Sequence, residues 1–275
     1  MNDAGATDVS RPGADFYYAS LYYPPRQRDE LRALEALRRT LTTIPSDCSD
    51  RGVAHLKLAW WREELERAGL DQARHPLSRA LVPVLAAEPA LSATLRNLID
   101  VVVDSLVGKT LRTEAEVDAA LTSMHAGVTA AYIKRGGGGS SDDDRAIMAL
   151  ALDIERAAVI YGLREHRRDG TLLVAETTLA ALGLNADAVR HAHASSPIQT
   201  FLTAQCATLR DGLDAHLATL AAPLRRRQRL FATLARIAVR NLSLTLEDGC
   251  RILERRVEVT PVVKLWLAWR TRWFG

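Results

Sequence analysis

The 275-residue sequence is poor in cysteine, lysine and aromatic residues. Its three cysteines form no CxxC pair, which excludes a disulfide scaffold and predicts reduced thiols. Aromatic residues make up 5% of the chain, which is low for a β-sandwich and ordinary for a helical protein. No apolar run reaches the roughly 18 residues that a membrane-spanning helix needs. The first residues lack the apolar centre of a secretory signal, so we expect a cytoplasmic protein.

The composition that remains, 48% hydrophobic and 25% charged, is that of a globular protein with a sizeable core. The net charge of +3 rests mainly on arginine, because only four of the 36 basic residues are lysines. Arginine suits bidentate contact with phosphate or carboxylate, which favours anionic ligands or lipid headgroups, although genomic base composition gives the same bias. No aromatic residues interleave the arginine cluster at 225–229, and no nucleic-acid partner is expected.

Apolar residues recur at the three- and four-residue spacing of amphipathic helices. The first stripe begins after Pro24 and Pro25 and is predicted to end at Pro45. Further stripes predict helices over 91–106, 202–220 and 242–257. Strand-like alternation is rare, so the fold class is all-α, a single-domain helical bundle of about ten helices.

The chain is predicted to have three segments. Residues 1–14 are expected to be a flexible N-terminus, 15–260 the helical domain and 261–275 a C-terminal helix. Within the domain, the sequence GGGGSSDDD at 136–144 predicts a flexible surface loop, because four glycines followed by acids disfavour regular structure.

Four segments together resemble the squalene/phytoene synthase family of head-to-head isoprenoid synthases. They are DFYYASLYYPP at 15–25, the helix KLAWWREEL at 57–65 with HPL at 75–77, the helix 98–106 with Asp100 and Asp104, and the segment 157–184. The resemblance implies an all-α isoprenoid-synthase-like bundle around a central cavity. The WW-R helix without an acidic run is most similar to the branch of mitochondrial complex I assembly factors, which implies a helper or assembly role.

The family's chemistry requires two helical carboxylate clusters, because Mg²⁺ held by acids neutralises the diphosphate leaving group. Where the family has an Arg followed by a DDxxDE-like run, this chain has Arg39 and then TTIPSD at 42–47. Hydroxyls are weak Mg²⁺ ligands, and Pro45 is expected to break the helix that carries them. Asp50 is predicted to cap the next helix.

The second cluster is half retained. By resemblance to the family pattern Q-x-x-N-x-L-R-D, Tyr161 stands at the Asn position, Arg164 matches, and Glu165 replaces the Asp. Asp169 lies four residues after Glu165, so both acids share one helix face and form a weak candidate metal site. With Arg39, these are the candidate substrate-binding residues. The alternative is a solvated pair with local arginine partners, and Asp100 and Asp104 likewise face either a cavity or the surface.

The C-terminal segment VVKLWLAWRTRWF carries Trp266, Trp269 and Trp273 on one helix face with cationic neighbours. This pattern is typical of a helix in a bilayer interface and predicts membrane contact through the three tryptophans. The alternative is a docked helix with buried tryptophans.

These observations favour a divergent squalene/phytoene synthase-like protein without full prenyl-transfer activity. It would bind an isoprenoid or lipid or act as an assembly factor, in the cytoplasm or at the inner face of a membrane, with an unknown protein partner. No catalytic residue is assigned and no cofactor is expected. The alternative is an active Mg²⁺-dependent prenyl transferase that condenses isoprenyl diphosphates.

Overall fold

Helices make up the regular structure of this chain. The computed structural model describes residues 11–107, 111–163, 173–181, 183–185, 196–255 and 257–275, and within these ranges it contains no strand. The described residues form twelve helices: α1 Asp15–Ser20, α2 Pro25–Asp47, α3 Arg51–Gly69, α4 Pro76–Ala87, α5 Ala90–Ser105, α6 Glu114–Arg135, α7 Ser141–Tyr161, α8 Glu176–Ala180, α9 Ser196–Thr219, α10 Ala222–Arg227, α11 Arg229–Glu247 and α12 Pro261–Phe274. The all-α prediction is confirmed.

The chain divides into two compact units. The N-terminal unit comprises Met1–Val107 and Ser123–Gly138, and the C-terminal unit comprises Gly108–Thr122 and Gly139–Gly275. The boundary falls within α6, so this helix contributes residues to each unit.

The core of the N-terminal unit is built on α2, which packs against α3, α4 and α5. The leucine stripe that predicted this helix is fully buried, because the 3.6-residue period places its members on one face; they are Leu31, Leu34, Leu37 and Leu41. Gly127 of α6 lies so close to α5 that a Cβ there would stand 2.6 Å from the Thr94 methyl group. A side chain at this position would push the two helices apart.

The core of the C-terminal unit lies among α7, α9 and α11, which pack against one another. Their buried side chains are mainly leucine, isoleucine and alanine, and on α9 they include Leu202, Cys206, Leu213 and Leu217 of the predicted stripe. The last helix, α12, packs on α10 and α11. None of the described helices is long and apolar enough to cross a bilayer.

The predicted end of α2 at Pro45 was wrong, because the helix continues to Asp47. A proline in the last turn removes only its own bond to the carbonyl four residues earlier. Leu41 and Ile44, which precede the proline, are buried and hold this end of the helix in place. Asp50 caps α3 as predicted, since its Oδ1 accepts from the N–H groups of Gly52 and Val53 at 2.6 and 3.1 Å.

The prediction of a loop over 136–144 was wrong in its second half. Ser140 is the N-cap of α7, and Ser140 Oγ and Asp143 exchange hydrogen bonds with each other's backbone N–H in a capping box. The three aspartates therefore form the first helical turn, where negative charge is favoured by the helix dipole. The glycines end at 139, and Gly137 and Gly138 have positive φ.

The predicted stripe over 242–257 also extends too far. Helix α11 ends at Glu247, and Gly249 and Cys250 follow with φ of +73° and +54°. The Cys250 N–H donates to the Thr245 carbonyl at 2.8 Å and closes the helix end. Gly249 supplies the left-handed conformation, so the apolar residues beyond it belong to a turn.

Candidate functional site

The face of α2 that follows Arg39 carries hydroxyl groups in place of acids. The Thr42 hydroxyl donates to the Arg39 carbonyl at 3.3 Å, and the Ser46 hydroxyl donates to the Thr43 carbonyl at 2.9 Å. Arg39 itself is half-buried. These hydroxyl protons are therefore committed to the helix backbone, and the exposed Asp47 is the only carboxylate in the TTIPSD segment.

One turn earlier, α2 carries a buried carboxylate that sequence reasoning missed. Arg38 donates to both oxygens of Glu35, at 2.7 and 2.8 Å, and the Tyr132 hydroxyl donates to Glu35 at 2.9 Å. Arg38 also lies 3.2 Å from His125 Nδ1. A metal ion would have to displace these partners from Glu35. The available signal was the i,i+3 spacing of Glu35 and Arg38, which predicts an ion pair.

The WWREEL segment and the HP pair form a structural clasp. Glu64 of α3 is fully buried, and its Oε1 accepts from the backbone N–H groups of Arg74 and His75 at 2.6 and 2.7 Å. Its other oxygen accepts from Arg67 at 3.1 Å. The His75 ring lies 4.9 Å from the Trp61 ring, and His75 Nδ1 accepts from the Leu77 N–H to cap α4.

The electrostatics of Glu64 agree with this role. Burial alone would raise the pKa of Glu64, but the hydrogen bonds from His75, Arg74 and Arg67 outweigh burial and lower it. The carboxylate stays ionised and fixes the connection between α3 and α4. The most distinctive segment of the sequence therefore stabilises the fold through Glu64 and Trp61.

Asp100 and Asp104 of α5 lie at the surface. Asp100 forms an ion pair with Arg62, the arginine of the WWREEL segment. Both aspartates are exposed, which favours the surface interpretation over the cavity-facing one.

Tyr161 is the last residue of α7, and its hydroxyl donates to the Ala238 carbonyl at 3.4 Å. It lines a cavity of about 10 Å³ with Asp248, Arg251 and Arg255. Asp248 forms an ion pair with Arg255, so two of the charged side chains that line this cavity neutralise each other. The other predicted members of the second cluster, Arg164, Glu165 and Asp169, lie outside the described residues.

A second, mainly apolar cavity of about 60 Å³ lies in the C-terminal unit. Phe201, Leu121 and Val159 are among its apolar lining residues, and Asp118 and Arg156 line it as well. An apolar cavity known to bind benzene measures about 150 Å³, so a prenyl chain would require this one to open. Its lining nevertheless suits hydrocarbon.

The charged side of this cavity is a network that the sequence did not reveal. Arg156 bridges Asp118 and Asp153, each at 2.6 Å, and His216 Nδ1 lies 2.6 Å from the second oxygen of Asp153. Partial burial alone would lower the pKa of Arg156. The hydrogen bonds that Arg156 donates to the two aspartates, together with their negative charges, outweigh burial and raise this pKa. The one guanidinium group of Arg156 is therefore shared between two carboxylates.

Comparison with known proteins decides the family. The family model described as squalene/phytoene synthase matches residues 9–262 of the chain. The chain belongs to the squalene/phytoene synthase family. The resemblance inferred from the four segments is thereby confirmed.

Two solved structures of this family's fold are similar to the chain. A dehydrosqualene synthase in complex with ligand is 13% identical with a TM-score of 0.77, covering 98% of this chain and 94% of that one. The squalene synthase HpnC from Alicyclobacillus acidocaldarius is 18% identical with a TM-score of 0.69, covering 89% of this chain and 93% of that one. Identities this low show the fold alone. No curated protein matches the chain.

The resemblance to squalene/phytoene synthases implies a Mg²⁺ site, but the candidate metal ligands on α2 do not suit Mg²⁺. Mg²⁺ prefers carboxylates and water in octahedral geometry. At 42, 43 and 46 this chain offers neutral hydroxyls, and Glu35 is occupied by Arg38 and Tyr132. In the described part of the chain, no group of three His, Cys, Asp or Glu side chains is placed to hold a metal ion.

Proposed function

We propose that this family member binds an isoprenoid or a related lipid without carrying out full prenyl transfer. Its role would then be that of a helper or assembly factor, as the similarity of its WW-R helix to complex I assembly factors implies. The family and the fold support an isoprenoid ligand, and the apolar cavity lining in the C-terminal unit is compatible with hydrocarbon.

One observation carries the proposal. Helix α2 continues through Asp47, so the segment 42–47 is presented on a helix as it would be in a catalytic relative, yet it carries two threonines and a serine. Release of diphosphate requires divalent cations opposite the leaving group, and hydroxyls do not gather them. The segment 42–47 thus offers one carboxylate, Asp47, and the metal site predicted from the second cluster has only Glu165 and Asp169.

We infer in addition that the protein acts in the cytoplasm, against the inner face of a membrane. Water-insoluble isoprenoids reside in bilayers, so a protein that binds them gains access to its ligand there. Helix α12, with its exposed tryptophans, supports this location.

Titration calorimetry with farnesyl diphosphate and with farnesol, each with and without Mg²⁺, tests the proposal. We expect binding of farnesol that does not depend on Mg²⁺, and no C30 product after incubation with the diphosphate. Mg²⁺-dependent micromolar binding of farnesyl diphosphate followed by a C30 or C40 product would establish the active transferase instead.

A gain-of-function variant sharpens this test. The triple change T42D, T43D and S46D restores an acidic run on α2, and we expect it to introduce Mg²⁺-dependent binding of farnesyl diphosphate. The control adds the same charge at exposed positions of α9, T203D, A204D and T208D, and should leave diphosphate binding unchanged. Equal responses of the two variants would mean that α2 is not the site of the lost metal.

A further inference from the structure

Helix α12 has two faces with opposite environments. Lys264, Leu267, Ala268 and Thr271 are buried against the C-terminal unit, and Thr271 accepts a hydrogen bond from Arg236 at 2.6 Å. The opposite face consists of large apolar side chains at the i, i+4, i+7, i+11 spacing of one helical stripe, and these are Val262, Trp266, Trp269 and Trp273. The alternative of a docked helix with buried tryptophans is therefore half right. The helix packs against the protein, but its three tryptophans are exposed.

The exposure of this stripe is concentrated rather than scattered. Trp266, Trp269 and Trp273 are 50%, 42% and 58% exposed. Of the eleven exposed large hydrophobic side chains in the described chain, seven belong to α12. Isolated exposed apolar residues are normal on a soluble protein, but a contiguous patch of this kind marks an interaction surface.

The charged side chains of α12 itself have one sign, and Lys264, which pairs with Glu258 at 4.0 Å, lies on the buried face. Helix α12 contains no acid, and its exposed Arg270 and half-buried Arg272 lie over the rings of Trp266 and Trp273, at 5.4 and 5.0 Å. Exposed Arg226 of α10 lies beside the buried Gly275, directly after the last residue of α12. Within the described residues, no carboxylate forms an ion pair with Arg226, Arg270 or Arg272.

These features select one occupant. Indole rings favour the boundary between hydrocarbon and water, where their apolar body is buried and the N–H remains hydrated. Arginines beside such rings favour anionic headgroups. A neutral hydrophobic protein partner would leave these three guanidinium groups without counter-charge.

We propose that the tryptophan stripe of α12, with Arg226, Arg270 and Arg272, is a docking surface for a bilayer containing anionic lipid. The helix lies in the interfacial plane with its rings inserted, and its buried face keeps it fixed to the protein. This surface deepens the membrane location proposed above, and it does not require that the protein bind an isoprenoid.

Vesicle flotation of the full chain tests the surface. The probes are vesicles of phosphatidylcholine alone and vesicles with three parts in ten phosphatidylglycerol. We expect binding to the anionic vesicles, with a blue shift of tryptophan emission and loss of binding at high salt. The triple variant W266A, W269A and W273A should raise the apparent Kd for anionic vesicles by about 100-fold or more, because ring insertion supplies most of the apolar contact with the bilayer.

Charge variants separate the two contributions. The change R226Q, R270Q and R272Q should weaken binding to anionic vesicles by about 100-fold, near fivefold for each arginine, and leave the weak binding to neutral vesicles unchanged. The matched control R51Q, R74Q and R96Q removes three exposed arginines from the N-terminal unit and should have little effect. For the tryptophans, the control is L56S with L70S, which removes exposed apolar residues elsewhere.

Three results would overturn the proposal. One is absence of anionic-vesicle binding by the folded protein. Another is equal loss of binding in the control variants. The third is a dimer in analytical ultracentrifugation that the tryptophan variant dissociates while vesicle binding is absent, which would show that a second copy covers the stripe. Farnesol binding by calorimetry without vesicles is measured separately, so failure here leaves the isoprenoid proposal intact.

Discussion

Helices α3 and α12 are both rich in tryptophan and arginine, but they use these residues in opposite ways. On α3, Trp61 is 2% exposed and packs on His75, while Arg62 and Arg67 form ion pairs with acids. On α12 the tryptophans are exposed, and the arginines lie over their rings. Residue type alone therefore does not distinguish a structural helix from an interaction surface. The difference is that the arginines of α3 pair with nearby acids, whereas Arg270 and Arg272 of α12 do not pair with any acid among the residues that the structure describes.

The largest expected difference between the two helices is in the free energy of unfolding that is lost when one tryptophan is removed from each. W61A deletes a buried ring and should lower the free energy of unfolding by about 3–5 kcal/mol. W266A deletes a half-exposed ring and should change it by no more than about 0.5–1 kcal/mol. Urea unfolding followed by circular dichroism measures both. A large loss in W266A would mean that the exposed stripe stabilises the fold.

A smaller effect, of about 1–3 kcal/mol, is expected for E64Q, because the neutral amide weakens the charge-assisted hydrogen bonds of the clasp. The pKa of Glu64 is lowered in the folded state, so its contribution is complete above the ordinary glutamate pKa and is lost as the pH falls through the lower folded value. The stability difference between wild type and E64Q should therefore shrink on acidification.

The matched control for the clasp is E66Q, two residues along the same helix at an exposed position. Its unfolding free energy should stay within about 0.5 kcal/mol of wild type across the same pH range. If E64Q and E66Q gave the same pH profile, Glu64 would not hold the connection between α3 and α4.

The features that could be predicted from sequence are local. Apolar spacing predicted the long helices, and Asp50 was recognised as a cap because an N-cap bonds to N–H groups two and three residues away. Pro45 and Cys250 were misjudged because the outcome depended on burial and on the conformation of one neighbouring glycine. A periodic stripe shows which residues share a face, but not where the helix ends.

The residues that were missed depend on contacts between distant parts of the chain. Tyr132 reaches Glu35 across 97 positions, and Arg156 reaches Asp118 across 38. The orientation of α12 could not be derived either, because both of its faces carry apolar residues and only packing decides which one is buried. The absence of acids at 42–46, by contrast, was readable directly.

The smallest expected effect concerns the ion pair of Arg62 and Asp100, which joins the WWREEL segment to α5. Both side chains are about half exposed, so solvent screens the pair and its coupling energy should be about 0.2–1 kcal/mol in a double-mutant cycle of R62Q and D100N. D104N, on the same exposed helix surface, serves as the control and should be near neutral. If Mg²⁺ stabilised the wild type and D100N abolished that stabilisation, Asp100 would be a metal ligand, and α3 would carry function in addition to structure.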